Sequence, residues 1–276
     1  MLTLNSTKKL DNGIEMPRLG LGVYKMTEPE EAYLAMEKAI QVGYKAIDTA
    51  SLYNNEEQVG EAVRNAAISR EELFITTKVW NTDQGYDETL RAFEKSLTKL
   101  KMDYIDLYLT HWPVVDKFKD TYRAIERLYD EKLIRATGVS NHEPHHLESL
   151  MATANIKPMV NQIELHPYLT QVENREFAQK HKIAITAWSP LGRGRVLEDA
   201  VINDLARKYN KSAAQIIIRW HLQNDIVVIP KSVTPSRIAE NAQVFDFELS
   251  DEDLQLISAL HRDERYGKHP DTFKFD

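Results

Sequence analysis

Short β-rich runs separated by amphipathic stretches recur along the whole chain, and this alternation constrains the fold more than any other feature. The runs fall at 18–21, 46–48, 74–79, 105–109, 136–139, 159–162, 183–187 and 226–229. Between them lie segments such as EEAYLAMEKAIQVG, DETLRAFEKSLTKLK and DTYRAIERLYDEK. Their apolar residues recur at helical spacing with charged positions between, the pattern of a helix that buries one face. Strand and helix in alternation need parallel pairing through right-handed crossovers. Eight such units close most naturally into an α/β fold, the (β/α)8 TIM barrel. The opening TLNSTKKLDNGIEMP adds a hairpin signal, Asn12-Gly13 between short alternating runs, expected to cap one end of the barrel. An open doubly wound sheet would carry a glycine fingerprint after its first strand, but LGLGVYKM has Gly20 and Gly22 without the third glycine.

A chain of 276 residues suits one such barrel, since about 250 residues is typical, so 1–276 is read as a single domain. No run approaches the roughly 18 apolar residues of a membrane helix, and the amino terminus shows no secretory cleavage pattern. Cysteine is absent, which excludes disulfides and thiolate chemistry and fits a cytoplasmic protein. The formal charge of −7 disfavours nonspecific nucleic-acid binding, which relies on a basic surface. An anionic ligand must therefore be held by a local basic cluster.

Active sites of such barrels form at the carboxyl ends of the strands, and reactive side chains gather there. The second run ends at Asp48, with Tyr53 in its loop, and the third ends at Lys78-Val79-Trp80. The fourth leads into His111 and Trp112, the fifth gives Ser140-Asn141, and the sixth Asn161-Gln162. Trp188-Ser189 and Lys231-Ser232 follow the last two. Singly, Asp48 reads as a helix cap, Tyr53 as a surface aromatic, Lys78 as a solvated charge and His111 as a packed histidine. Together, acid, phenol, amine and imidazole on separate strand ends read as a proton-transfer site. Lys78 beside Tyr53 is expected to lower the phenol pKa while Asp48 compensates the lysine charge. Tyr53 would then serve as general acid, with His111 donating a hydrogen bond to a substrate carbonyl.

The motifs LGLGVYK, GYKAIDTASLYNNEEQVG, ITTKVW, DLYLTHWP, GVSN, VNQIELHPY, AWSPLG and IPKSVTPSRIAENAQVFDFELS together resemble the aldo-keto reductases across the whole chain. The likeness is greatest to small bacterial members that reduce glyoxal, methylglyoxal or 2,5-diketogluconate. The resemblance implies a barrel that reduces aldehydes and ketones with NADPH, releasing NADP+. It also implies a catalytic tetrad of Asp48, Tyr53, Lys78 and His111, with Tyr53 as proton donor.

Lacking a glycine fingerprint, the rim itself must hold the dinucleotide. In IPKSVTPSRIAEN, Lys231 and Arg237 offer charge, Ser232 and nearby amides offer donors, and a helix starting near Pro235 turns its positive end to an anion. The resemblance assigns this run to the adenosine 2′-phosphate, favouring NADPH over NADH, and sets Glu240 and Asn241 against the adenine. By the same likeness Ser140, Asn141 and Gln162 bind the nicotinamide carboxamide and Trp188 stacks on its ring. Ser189, Leu191 and Gly192 line the pyrophosphate, helped weakly by Arg193 and Arg195, and Gly22 and Val23 join the cofactor residues. Tyr24, Trp80, His111 and Trp112 are the expected substrate walls.

Three positions depart from the family pattern: Lys45 for arginine, Thr110 for isoleucine and His142 for phenylalanine. In NHEPHH, the spacing of His142, His145 and His146 matches no common zinc pattern and reads as an exposed helix start, so no metal is expected. The polar tail RDERYGKHPDTFKFD looks short for the family, which suggests an open pocket. Two rivals remain on the residues: a Schiff-base lyase using Lys78, and a cofactor-binding regulatory module. A small carbonyl substrate and a monomer complete the expectation.

Overall fold

The computed structural model describes residues 2–273. Strands β1 (Thr7–Lys9) and β2 (Glu15–Pro17) form the antiparallel hairpin, with Lys9 opposite Glu15 and Gly13 turning at φ 89°. Then follow β3 (Leu21–Gly22), α1 (Pro29–Val42), β4 (Ala46–Asp48), α2 (Glu56–Arg64), β5 (Phe74–Val79), α3 (Tyr86–Leu100), β6 (Ile105–Thr110) and α4 (Phe118–Asp130). The second half runs β7 (Ile134–Ser140), α5 (Pro144–Met151), β8 (Val160–Glu164), α6 (Val172–His181) and β9 (Ala184–Trp188). After α7 (Ala200–Tyr209) and α8 (Ala213–Gln223) come β10 (Val227–Val228), α9 (Pro235–Ala242) and α10 (Asp251–Ser258).

Strands β3 to β10 pair in chain order, all parallel. The ring closes where Leu19 bridges Val228: the Gly20 amide donates to Val228 O at 3.0 Å and the Val228 amide to Arg18 O at 3.0 Å. The eight parallel strands and their outer helices are the barrel that the alternation predicts.

Local chemistry explains each layer. In α4, Tyr122, Ile125 and Leu128 recur on the buried face, while Arg123 and Arg127 pair outward with Asp120 and Glu131. Each such large apolar side chain removed from water contributes about 1.5–3 kcal/mol. All six residues of β5 and of β6 are buried, as a strand covered on both faces requires. Leu10 and Met16 of the hairpin pack with Ala46, Phe74, Leu107, Val160 and Val227. The hairpin thus plugs the amino end of the barrel and leaves the carboxyl rim for chemistry.

The boundaries differ most at the seam. The first run, expected at 18–21, is a regular strand only over Leu21–Gly22, because 18–20 is stitched to β10 by single bonds across the closure. A side chain at Gly22 would fall 2.8 Å from Ile229 O, so only glycine lets the two backbones approach this closely. The last run, expected at 226–229, keeps Val227–Val228 alone. Among the described residues no helix is long and apolar enough to cross a membrane.

Candidate active site

The carboxyl rim brings together all four residues of the expected tetrad. Asp48 closes β4 and Lys78 lies in β5, both buried. The Lys78 Nζ donates to Asp48 Oδ1 at 2.5 Å and to Thr49 O at 2.8 Å. Such a buried pair holds together only because each charge has a partner. Tyr53 ends a single 3-10 turn, Ser51–Tyr53, that follows β4, and its ring lies 5.1 Å from the Lys78 Nζ. His111, just beyond β6, meets Tyr53 edge-on at 5.8 Å and Trp80 at 5.0 Å.

The Tyr53 turn is fixed from beneath by Asn55. Its Nδ2 donates to Val23 O at 2.9 Å and to Met26 O at 3.2 Å, and its Oδ1 accepts from Thr49 Oγ1 at 2.6 Å. Sequence reasoning missed this residue, because an asparagine in a polar loop carries no signal of the two segments it will join.

The electrostatics correct one expectation. Burial first, then the charge of Asp48, hold the Tyr53 phenol well above its ordinary value rather than below it. The physical reason is that burial, with the charge of Asp48 added, costs the phenolate more than the Lys78 ammonium, itself paired with Asp48, gives back. Burial lowers the Lys78 pKa against the opposing pull of Asp48. Burial, then Lys78, push His111 well below its ordinary value, which leaves a neutral imidazole at physiological pH.

Trp188 closes β9 and its Nε1 donates to Asn141 Oδ1 at 2.8 Å, while Asn141 Nδ2 donates to His111 O at 3.0 Å. Ser140 Oγ donates to Gln162 O at 2.7 Å, and Gln162 Nε2 reaches Asp48 Oδ2 at 2.6 Å. Ser140, Asn141, Gln162 and Trp188 therefore share one network with Asp48. After β9, Ser189 and Gly192 take positive φ, and a kink at Arg193 and Gly194 folds the segment back; Leu191 is half-buried beside it. On the far side of the rim Ser232 Oγ accepts from the Thr234 amide at 3.1 Å. Helix α9 starts at Pro235 with no side-chain cap, Lys231 and Arg237 are exposed without an ion pair among the described residues, and Asn241 is buried beside half-buried Glu240. Uncapped amides with two free cations are a donor set that fits a phosphate. Gly22 and buried Val23 lie between this run and Asp48, whose carbonyl accepts from the Val23 amide at 3.1 Å. Tyr24 stands 5.0 Å from Tyr53, Trp80 lies against His111, and Trp112 follows His111 in the chain and is buried.

The pattern spans the molecule. The model of the aldo/keto reductase family matches residues 18–262. The chain belongs to that family. The reductase is 55% identical over 273 residues to glyoxal reductase of Bacillus subtilis (strain 168), covering 99% of each. It is 49% identical over 269 residues to methylglyoxal reductase DkgA of Escherichia coli (strain K12), covering 96% of this chain and 97% of that one. A crystal structure of a Gox0644 mutant in complex with NADPH superposes with a TM-score of 0.93, at 45% identity and 98% coverage of both chains.

Two further expectations change. His142 is not part of an exposed helix start: it is buried, its Nδ1 lies 2.9 Å from Ser140 O, and its ring meets Phe118 edge-on. The tail does not leave the rim open. It lies across the mouth of the reductase, with Tyr266 and Gly267 bonded to Glu164 and Phe273 against Trp112 at 4.8 Å. The tail also brings Asp271 to His145 and His146, at 3.1 and 3.4 Å. These three form the one group of possible metal ligands found among the described residues. Yet His146 Nδ1 accepts the Glu143 amide at 3.1 Å, so in the neutral ring Nε2 carries the proton toward Asp271. A hydrogen-bonded clasp fits that tautomer better than a metal does.

Proposed function

We propose that this protein is an NADPH-dependent carbonyl reductase of small aldehydes and ketones, dicarbonyls such as glyoxal and methylglyoxal first among them. The observation that carries the reading is the buried Lys78–Asp48 pair beneath Tyr53 with a neutral His111 beside it. Relatives that bear the names glyoxal reductase and methylglyoxal reductase support the substrate class. The neighbour solved with NADPH supports the cofactor.

Tyr53 is the proton donor in this reading. Its raised pKa keeps the phenol protonated in the resting site, and Lys78 stabilises the phenolate left behind once the proton reaches the carbonyl oxygen. Neutral His111 donates a hydrogen bond to the same oxygen, and the aromatic walls Tyr24, Trp80 and Trp112 restrict water. Bound NADPH supplies the hydride. Lys231, Ser232, Arg237, Glu240 and Asn241 would hold its adenosine phosphate end. Ser189, Leu191 and Gly192 would flank the pyrophosphate, and Gly22, Val23, Ser140, Asn141, Gln162 and Trp188 would hold the nicotinamide end. Lys78 does not serve as a Schiff-base nucleophile, because its amine is buried and committed to Asp48 and Thr49 O. Residues 1–276 act as one domain, working as a cytoplasmic monomer.

The test is loss of reduced-nicotinamide absorbance with glyoxal, methylglyoxal, an aromatic aldehyde and a keto-sugar acid, each with NADPH and with NADH. Turnover of the dicarbonyls with NADPH and much less with NADH is the expected outcome. Tight NADPH binding without reduction of any carbonyl would overturn the catalytic reading.

A further inference from the structure

We propose that Glu164 is a positioning residue that clamps the carboxyl-terminal tail onto Trp188 and thereby sets how tightly the cofactor is held, an inference that rests on reading Trp188 as the nicotinamide platform. Glu164 ends β8 at the carboxyl rim and is fully buried. Its Oε1 accepts the Tyr266 amide at 2.7 Å and lies 3.1 Å from His166 Nε2, while Oε2 accepts the Gly267 amide at 2.8 Å. Two consecutive amides on one carboxylate make a two-point clamp. A buried carboxylate that lost them would be left with its charge poorly solvated, so the clamp resists opening. Burial works against the charged form of Glu164, but the bonds from His166 and the two amides outweigh it and hold the carboxyl below its ordinary value.

The clamp presses on the site from one side. A Cβ added at Gly267 would fall 2.4 Å from Trp188 Cη2 and 2.7 Å from Glu164 Oε2, so the tail backbone lies directly against the indole. From the other side Trp188 is tied through Asn141 to the carbonyl of His111. The clamp also reaches the segment after β9. The Tyr266 ring stacks on His166 at 5.1 Å, and the Arg195 guanidinium lies over the same ring at 4.4 Å. Gly192 is close enough that a Cβ there would sit 3.1 Å from Tyr266 Cε2. One carboxylate thus joins the β8 end, the tail and the turn that flanks the proposed pyrophosphate position.

The experiment compares wild type, Glu164→Gln, Gly267→Ala and a chain ended after Arg265. Amide hydrogen exchange at Tyr266 and Gly267 is measured in the cofactor-free protein, NADPH Kd by tryptophan quenching, and KM and kcat with methylglyoxal. In Glu164→Gln the side-chain amide faces one backbone donor, and both amides should exchange about tenfold faster. NADPH Kd and KM should rise about tenfold in Glu164→Gln and in the shortened chain, and kcat should change less than either. Gly267→Ala should weaken NADPH in the same direction by pushing the indole. A Glu164 that only supports the fold would lower stability without this split between KM and kcat. Unchanged exchange in Glu164→Gln overturns the clamp, as does faster exchange with unchanged Kd. If Glu164→Gln does not fold, an unchanged Kd in the shortened chain overturns it. Wild type that binds NADPH but reduces nothing would end the catalytic proposal alone, since exchange and Kd would still decide the clamp.

Discussion

At the scale of the residue, Tyr53 is defined by what surrounds it more than by its own chemistry. A phenol half-buried against an acid stays protonated, and a lysine 5.1 Å from its ring offsets part of the cost of the phenolate that proton transfer would leave. Replacing Tyr53 by Phe removes the transferable proton while keeping the ring that packs on Tyr24 and His111. Turnover should fall by at least about a hundredfold, the usual scale of general acid catalysis, with NADPH affinity within about twofold of wild type. Single-turnover kinetics beside fluorescence titration measures both, and undiminished turnover would remove Tyr53 from the role. The gathering of Asp48, Tyr53, Lys78 and His111 was legible because these reactive side chains stood at or just after strand ends, where a barrel puts its chemistry. The sign of the phenol shift was not, since it depends on how deeply the ring is buried and how near Asp48 lies, neither of which a sequence states. Glu164 was equally silent, because the amides that define it come from residues about a hundred positions away along the chain.

At the scale of the element, helix α9 illustrates how one terminus could choose a cofactor. Its first turn lacks a side-chain cap, and Lys231 and Arg237 stand beside it without acidic partners among the described residues. A guanidinium at a helix start recognises a phosphate bidentately, and only NADPH carries the 2′-phosphate. Arg237→Ala should therefore raise KM for NADPH about tenfold or more and leave KM for NADH nearly unchanged, since a charged hydrogen bond contributes about 1.5–3 kcal/mol. Equal losses for both nucleotides would place the phosphate elsewhere. The start of this helix was readable from Pro235, which fits the first helical position without losing a bond. Strand ends at the barrel seam were not readable in the same way. Regular pairing there stops where the closure replaces a ladder by single bonds, and that depends on the eighth strand as much as on the first.

At the scale of the whole molecule, the barrel carries histidines in places where they must stay neutral. Burial lowers His142 to about 3 and His221 to about 4, and both His111 and His142 lie under the rim. Above the ordinary histidine value of 6.5, folded and unfolded chains both hold these rings neutral and nothing is gained or lost. Below it the unfolded chain binds protons that the folded chain refuses, so stability falls as the pH drops, by about 1.4 kcal/mol per pH unit for each ring. Lowered carboxyls such as Glu164 enter only at more acid pH, because their stabilising effect is complete above the ordinary value of 4.5. The interval between the two values thus isolates the histidines. His142→Phe tests one of these rings, and phenylalanine keeps the edge contact with Phe118. The variant should lose about 1 kcal/mol near neutral pH, where the bond to Ser140 O is missing. By about pH 5 it should recover that deficit and overtake wild type, which by then carries a penalty of about 2 kcal/mol from this ring. Urea midpoints across the interval measure the crossing. Two parallel curves would mean that His142 takes up its proton without opening the core, and the acid sensitivity would then have to come from His111, His146 and His221.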